Sequence, residues 1–127
     1  MALKNWQRLA VSLTGMAVFT ILFCLPGSDL PEESFFSKIP FFDKWVHMGI
    51  FCTIIILWSW SMQLIGYKQL SILLLLAITY GFLIEVVQYQ FIPGRSFDMF
   101  DVLADSIGSL AGLLIWRSIY KNWVKRV

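Results

Sequence analysis

The stretch LSILLLLAITYGFLIEVVQYQF, Leu70 to Phe91, decides the fold. A helix crosses a hydrocarbon core with about 20 apolar residues, and this run is that long. Yet it holds a carboxylate and a carboxamide, Glu85 and Gln88, three positions apart. That spacing puts both on one helix face. An acid near the centre of a membrane helix costs about 2.5–3.5 kcal/mol on the insertion scale. The face must therefore turn toward other polar groups, and those groups mark where to look for function.

Three further runs on either side are long and apolar enough to cross: Leu9 to Leu25, Phe42 to Ile65 and Asp98 to Ile119. Short turns separate the later spans, at Gly66-Tyr67-Lys68-Gln69 and at Ile92-Pro93-Gly94-Arg95-Ser96, where Pro and Gly break the helix. The one sizeable loop, Pro26 to Phe41, carries Asp29, Glu32 and Glu33, and its SFFSKIPFF segment reads as interfacial. Lys4 and Arg8 ahead of the first run resemble a signal peptide. No A-x-A-like cleavage site follows, so that run is expected to stay as a span. The expectation is an all-α integral membrane bundle of four helices, forming a single domain over residues 1–127.

Composition agrees. Hydrophobic residues make up 58% of the 127 and charged ones 14%, against roughly 25% charged in soluble domains. The net charge of +2 is too small to argue for nucleic acid. Cys24 and Cys52 lie in apolar runs and at different depths, as packing residues rather than a disulfide.

Lys and Arg set direction. With both termini cytoplasmic, the inner side holds Lys4, Arg8, Lys68, Arg117, Lys121, Lys125 and Arg126, and the outer side Lys38, Lys44 and Arg95. Trp6, Trp58, Trp60, Trp116 and Trp123 then fall at the inner interface, and Phe41, Phe42, Trp45, Phe91 and Phe97 at the outer one. Every acid lands in the outer half.

At 1.5 Å per residue, His47 lies roughly 8 Å, Glu85 about 9 Å and Asp105 about 12 Å below the outer ends of their helices. Asp43 and His47 share a face. So do Asp98, Asp101 and Asp105, which run beside the small residues Ala104, Gly108 and Gly112. Glu85 is thus expected in an outward-facing pocket lined by His47, Gln88, Arg95, Asp101 and Asp105. Ordinary structural roles compete: Asp43 and Asp98 as acids in a first helical turn with Ser96 as N-cap, Lys44 snorkelling outward, and glycines as packing surface. Glu85 has no such role within its own helix.

The segments DKWVH (Asp43 to His47), YGFLIEVVQ (Tyr80 to Gln88) and FIPGRSFDMFDVLAD (Phe91 to Asp105), with Ile107-Gly108 after them, resemble the VanZ-like family in order and spacing. The resemblance covers roughly Phe41 to Trp116. It implies a small multi-spanning protein of the bacterial cytoplasmic membrane and cell envelope. The family's namesake is associated with resistance to the glycopeptide teicoplanin. Where this chain has Asp105, the family usually has Asn.

Two readings of function follow. In the first, the acidic pocket binds a lipid head group, a lipid-linked cell-wall precursor or a partner, with Asp43, Gln88, Arg95, Asp98, Asp101 and Asp105 as binding residues. In the second, Glu85 and His47 perform acid–base chemistry on a lipid-linked envelope substrate, with Asp43 or Asp101 orienting His47. Ion transport is disfavoured because the inner half has no matching polar residues. No cofactor is assigned. His47 with Glu85, Asp101 and Asp105 is a donor set for one divalent cation, but no HExxH or similar spacing supports it. The glycine stripes fit packing within one chain or in a homo-oligomer.

Overall fold

The computed structural model describes residues 3–26 and 38–124, and the side chains as far as Asn122. The interfacial reading of most of the long loop, with Asp29, Glu32 and Glu33, lies outside the described residues, as do Lys125, Arg126 and the Trp123 side chain. Four helices follow one another: α1 (Asn5–Phe23), α2 (Phe42–Met62), α3 (Tyr67–Phe91) and α4 (Met99–Val124). Each is long and apolar enough to cross a membrane. No strand occurs among the described residues.

The boundaries differ from the sequence expectation where local chemistry intervenes. α2 stops at Met62 rather than Ile65. Gln63 takes a left-handed conformation (φ 53°), its side-chain amide donates to the Trp60 carbonyl at 2.6 Å, and the Trp116 indole N–H donates to the Leu64 carbonyl at 2.6 Å. α3 starts at Tyr67, ahead of Leu70, as Gln69 folds back to accept the Gly66 N–H at 3.3 Å. α4 begins after Asp98, whose carboxylate accepts the Phe100 N–H at 2.8 Å. Asp98, not Ser96, therefore caps this helix.

Side-chain contacts fix the topology. Thr20 meets Tyr80 at 2.7 Å and Gln88 reaches the Phe23 carbonyl at 2.9 Å, so α1 and α3 run in the same direction. Gly108 lies against Met48 and Gly112 against Cys52, so α2 and α4 also run in the same direction. The bundle alternates up and down. Leu3, Gln63 and Ile119 meet at the end carrying the chain termini, and Phe23, Lys44, Gln88 and Asp98 lie at the opposite end.

Among the described residues, α2 and α4 approach backbone to backbone along their seam. A Cβ at Gly108 would overlap the Met48 carbonyl oxygen and come within 2.7 Å of its Cα; at Gly112 it would meet the Cys52 carbonyl at 2.6 Å. Only glycine allows backbones this near. The core behind the seam is Phe51, Ile55, Ala77, Ile84, Leu113 and Trp116. Outward faces carry Leu75, Leu76, Leu83, Leu103 and Leu114, all exposed as lipid contact requires. Trp116 lies at the end expected for it, with its ring turned into the bundle rather than outward. It is 5% exposed and locks the α2–α3 turn from inside. Both cysteines are free.

Candidate functional site

The acids of the described residues gather at the end opposite the termini, in two layers. In the upper layer, Lys44 stands in the first turns of α2 with its ammonium 2.7 Å from Asp43, 2.5 Å from Asp98 and 2.7 Å from Asp101. Its side chain is 18% exposed. Lys44 therefore turns into the bundle rather than snorkelling outward, because three carboxylates from two helices outbid water for one ammonium. The Lys44 ammonium in turn holds the Asp98 carboxyl, just outside the helix, below the usual carboxylate range.

In the lower layer, His47 lies one turn below Asp43, and its Nδ1 is 2.8 Å from Asp105 Oδ1. With Asp105 ionised the carboxylate only accepts, and Nδ1–H is then the donor. Nε2 faces Asp101 Oδ2 at 3.8 Å. The orienting acid of the histidine is thus Asp105, not Asp43 or Asp101. Asp105 is fully buried, and Gly81 of α3 makes room for it: a Cβ there would stand 2.6 Å from Asp105 Oδ2. Phe23, at the end of α1, covers the imidazole with ring centroids 4.8 Å apart. The first span therefore helps close the site, a contribution that an apolar residue gave no means of anticipating.

Glu85 is also fully buried. Its Oε2 accepts the Asp98 N–H at 3.0 Å. Mid-helix in its own element, it serves the start of the neighbouring one, where an acid meets the positive end of the α4 dipole. Glu85 thus has a helix-start role after all, across helices rather than within its own. That bond uses one oxygen. Among the described residues Glu85 Oε1 and Asp105 Oδ2 have no hydrogen-bond partner, and neither does the buried Ser109 hydroxyl one turn below Asp105.

The remaining sequence candidates sit at the margin. Gln88 is buried and donates to the Phe23 carbonyl, tying α3 to the end of α1. Arg95 reaches the Leu25 carbonyl through Nε at 3.4 Å and makes no ion pair among the described residues. The structure thus brings His47, Glu85, Asp101 and Asp105 together, adds Lys44 and Phe23, and directs Gln88 and Arg95 toward α1. Two open clefts, of about 620 and 380 Å³, lie at the other end of the bundle around Trp116, Arg117 and Tyr120.

Two groupings have the closeness that ion binding needs: Asp43, Asp98 and Asp101, and His47, Glu85 and Asp101, each with one donor atom per residue within 4.8 Å of the others. Chemically, the lower layer is a buried imidazole anchored at Nδ1 by Asp105, beside Asp101 and Glu85 and under an ammonium. Such an arrangement can move a proton, hold a cation, or both.

The family model described as VanZ/LLP1 matches residues 3–121, nearly the whole chain. The protein belongs to that family. No curated protein and no solved structure matches it.

Proposed function

We propose that this VanZ/LLP1 protein works in the bacterial cytoplasmic membrane, termini inside, as an envelope enzyme. Its reaction centre is the His47–Glu85–Asp101 face in the extracytoplasmic half, and its substrate is a lipid-linked envelope molecule such as a cell-wall precursor. Lys4, Arg8, Lys68, Arg117 and Lys121 at the termini end support this orientation against Lys38, Lys44 and Arg95 at the other.

The observation that carries the reading is His47 held at Nδ1 by the fully buried Asp105. An imidazole anchored at Nδ1 with Nε2 turned toward Asp101 is what acid–base chemistry needs and what a simple adhesive surface does not. Glu85 and His47 are the residues on which proton transfer to or from the substrate depends, and the VanZ-type effect on teicoplanin would follow from the altered envelope molecule.

The test is turnover of lipid-linked cell-wall precursor by protein in nanodiscs, beside teicoplanin susceptibility of cells expressing it. Loss of both in Glu85→Gln and His47→Gln, with normal folding, is the expected result. Wild-type values in both variants would remove the proposal. A non-catalytic head-group binder is the second reading, favoured by Arg95, whose guanidinium has no acid partner among the described residues. It predicts that Arg95→Gln abolishes the phenotype while His47→Gln keeps it.

A further inference from the structure

The two acidic groupings are not equivalent. Asp43, Asp98 and Asp101 already surround a cation, the Lys44 ammonium, at 2.5–2.7 Å. Among the described residues the grouping beneath it meets that ammonium only through Asp101 Oδ1, which leaves Asp101 Oδ2 on the His47 side. There Glu85 is fully buried, and its Oε1 has no partner among the described residues. His47 commits Nδ1 to Asp105, which leaves Nε2 for the side facing Asp101. Five carboxylates from three helices meet only Lys44 and, at most, one imidazolium as positive charge. Asp43 and Asp98 are partly open to solvent, but Glu85 and Asp105 are fully buried and Asp101 nearly so, and acids gathered there without a matching charge favour a further cation.

The donor arrangement names its class. A histidine that binds a metal through one nitrogen usually gives the other N–H to a carboxylate, which fixes the ring and raises its basicity. Asp105 already stands in that relation to His47. One imidazole and two carboxylates suit Mn²⁺ or Mg²⁺ better than Ca²⁺, which wants six to eight oxygens, or structural Zn²⁺, which favours closed thiolate and imidazole sets. We propose that His47 Nε2, Glu85 and Asp101 bind one divalent cation of the Mn²⁺/Mg²⁺ class, with Asp105 as the positioning residue. The role of the ion rests on the cluster being the reaction centre; its binding does not. Three protein ligands leave positions for water and for a phosphate oxygen, so an anionic lipid-linked head group can enter an acidic site through the ion.

The test is Mn²⁺ titration of chelator-treated protein in detergent, followed by electron paramagnetic resonance. One Mn²⁺ per chain, with a nitrogen coupling from the imidazole, is expected. His47→Ala and Glu85→Gln should each weaken binding at least about 100-fold, and Asp105→Asn about 10–100-fold. Thr79→Val, on the exposed side of α3 where the hydroxyl bonds the Leu75 carbonyl of its own helix, should leave affinity within about twofold. The proposal is overturned if wild-type protein takes up no Mn²⁺, if bound Mn²⁺ lacks the nitrogen coupling, or if Asp43→Asn abolishes binding while Glu85→Gln does not. The nitrogen coupling needs no variant, so a misfolded substitution does not shield the idea. Turnover that depends on His47 without Mn²⁺ uptake would sink the ion and spare the reaction centre. Uptake without turnover would do the reverse.

Discussion

Replacing Gly108 with alanine should pull the site apart from a distance. The added methyl would stand 2.7 Å from Met48 Cα, whereas ordinary contact begins at 3.4 Å. The difference, 3.4 − 2.7, is about 0.7 Å, the obstacle is backbone and the Met48 carbonyl oxygen is nearer still, so α2 and α4 must separate by at least that much. The His47–Asp105 and Lys44–Asp101 contacts span the same two helices at 2.8 and 2.7 Å. Added to these, about 0.7 Å brings both to the edge of hydrogen-bonding range. Overpacking alone costs typically 1–3 kcal/mol, and the weakened polar contacts add to it. Thermal unfolding in detergent measures the loss, with Gly49→Ala as control. Gly49 lies on α2 with nothing within 4 Å of a new Cβ, so alanine there should be neutral or gain up to about 1 kcal/mol from helix propensity. If Gly108→Ala melts with the wild type, the close α2–α4 seam is wrong, and so is the site built across it.

Three other perturbations test separate parts of the structure. Lys44→Met should cost at least about 1.5–3 kcal/mol, the worth of one charge-assisted bond, in the same unfolding assay, whereas a snorkelling lysine would be replaced without loss. Gln88→Leu strands the Phe23 carbonyl and should raise amide exchange at the end of α1, at a cost of about 1–3 kcal/mol, while Gln90→Leu on the exposed face should not. Lys44 lowers the folded-state pKa of Asp98, so the Asp98 contribution to stability is present above its unfolded value near 3.9 and lost as pH falls through the folded one. Asp98→Asn should therefore flatten the acid limb of the melting curve below about pH 4 and leave the neutral limb's slope unchanged.

Hydropathy and spacing reveal most of the architecture. Four apolar runs became four helices, because a chain of this composition has few other ways to satisfy its backbone in lipid. The layer of His47, Glu85 and Asp105 was legible because depth follows from 1.5 Å per residue and face from the three-and-four rule. What stayed hidden depends on partners across helices. The inward turn of Lys44 needs Asp98 and Asp101, 54 and 57 positions away in sequence, to be beside it. The cap that Glu85 offers to α4 is invisible from within α3. Asp105 looks like a departure from the family pattern, yet it is the residue that anchors His47 at Nδ1. Ser96 matched the usual N-cap chemistry, but Asp98 stood closer to the helix start and won.

The chain has a single histidine, so nitrogen-15 resonance of histidine-labelled protein in lipid reports the centre of the site without assignment. The account predicts a proton on Nδ1 in a strong hydrogen bond, with that signature collapsing in Asp105→Asn. An Nδ1 without a bonded proton, or a spectrum indifferent to Asp105, would contradict it.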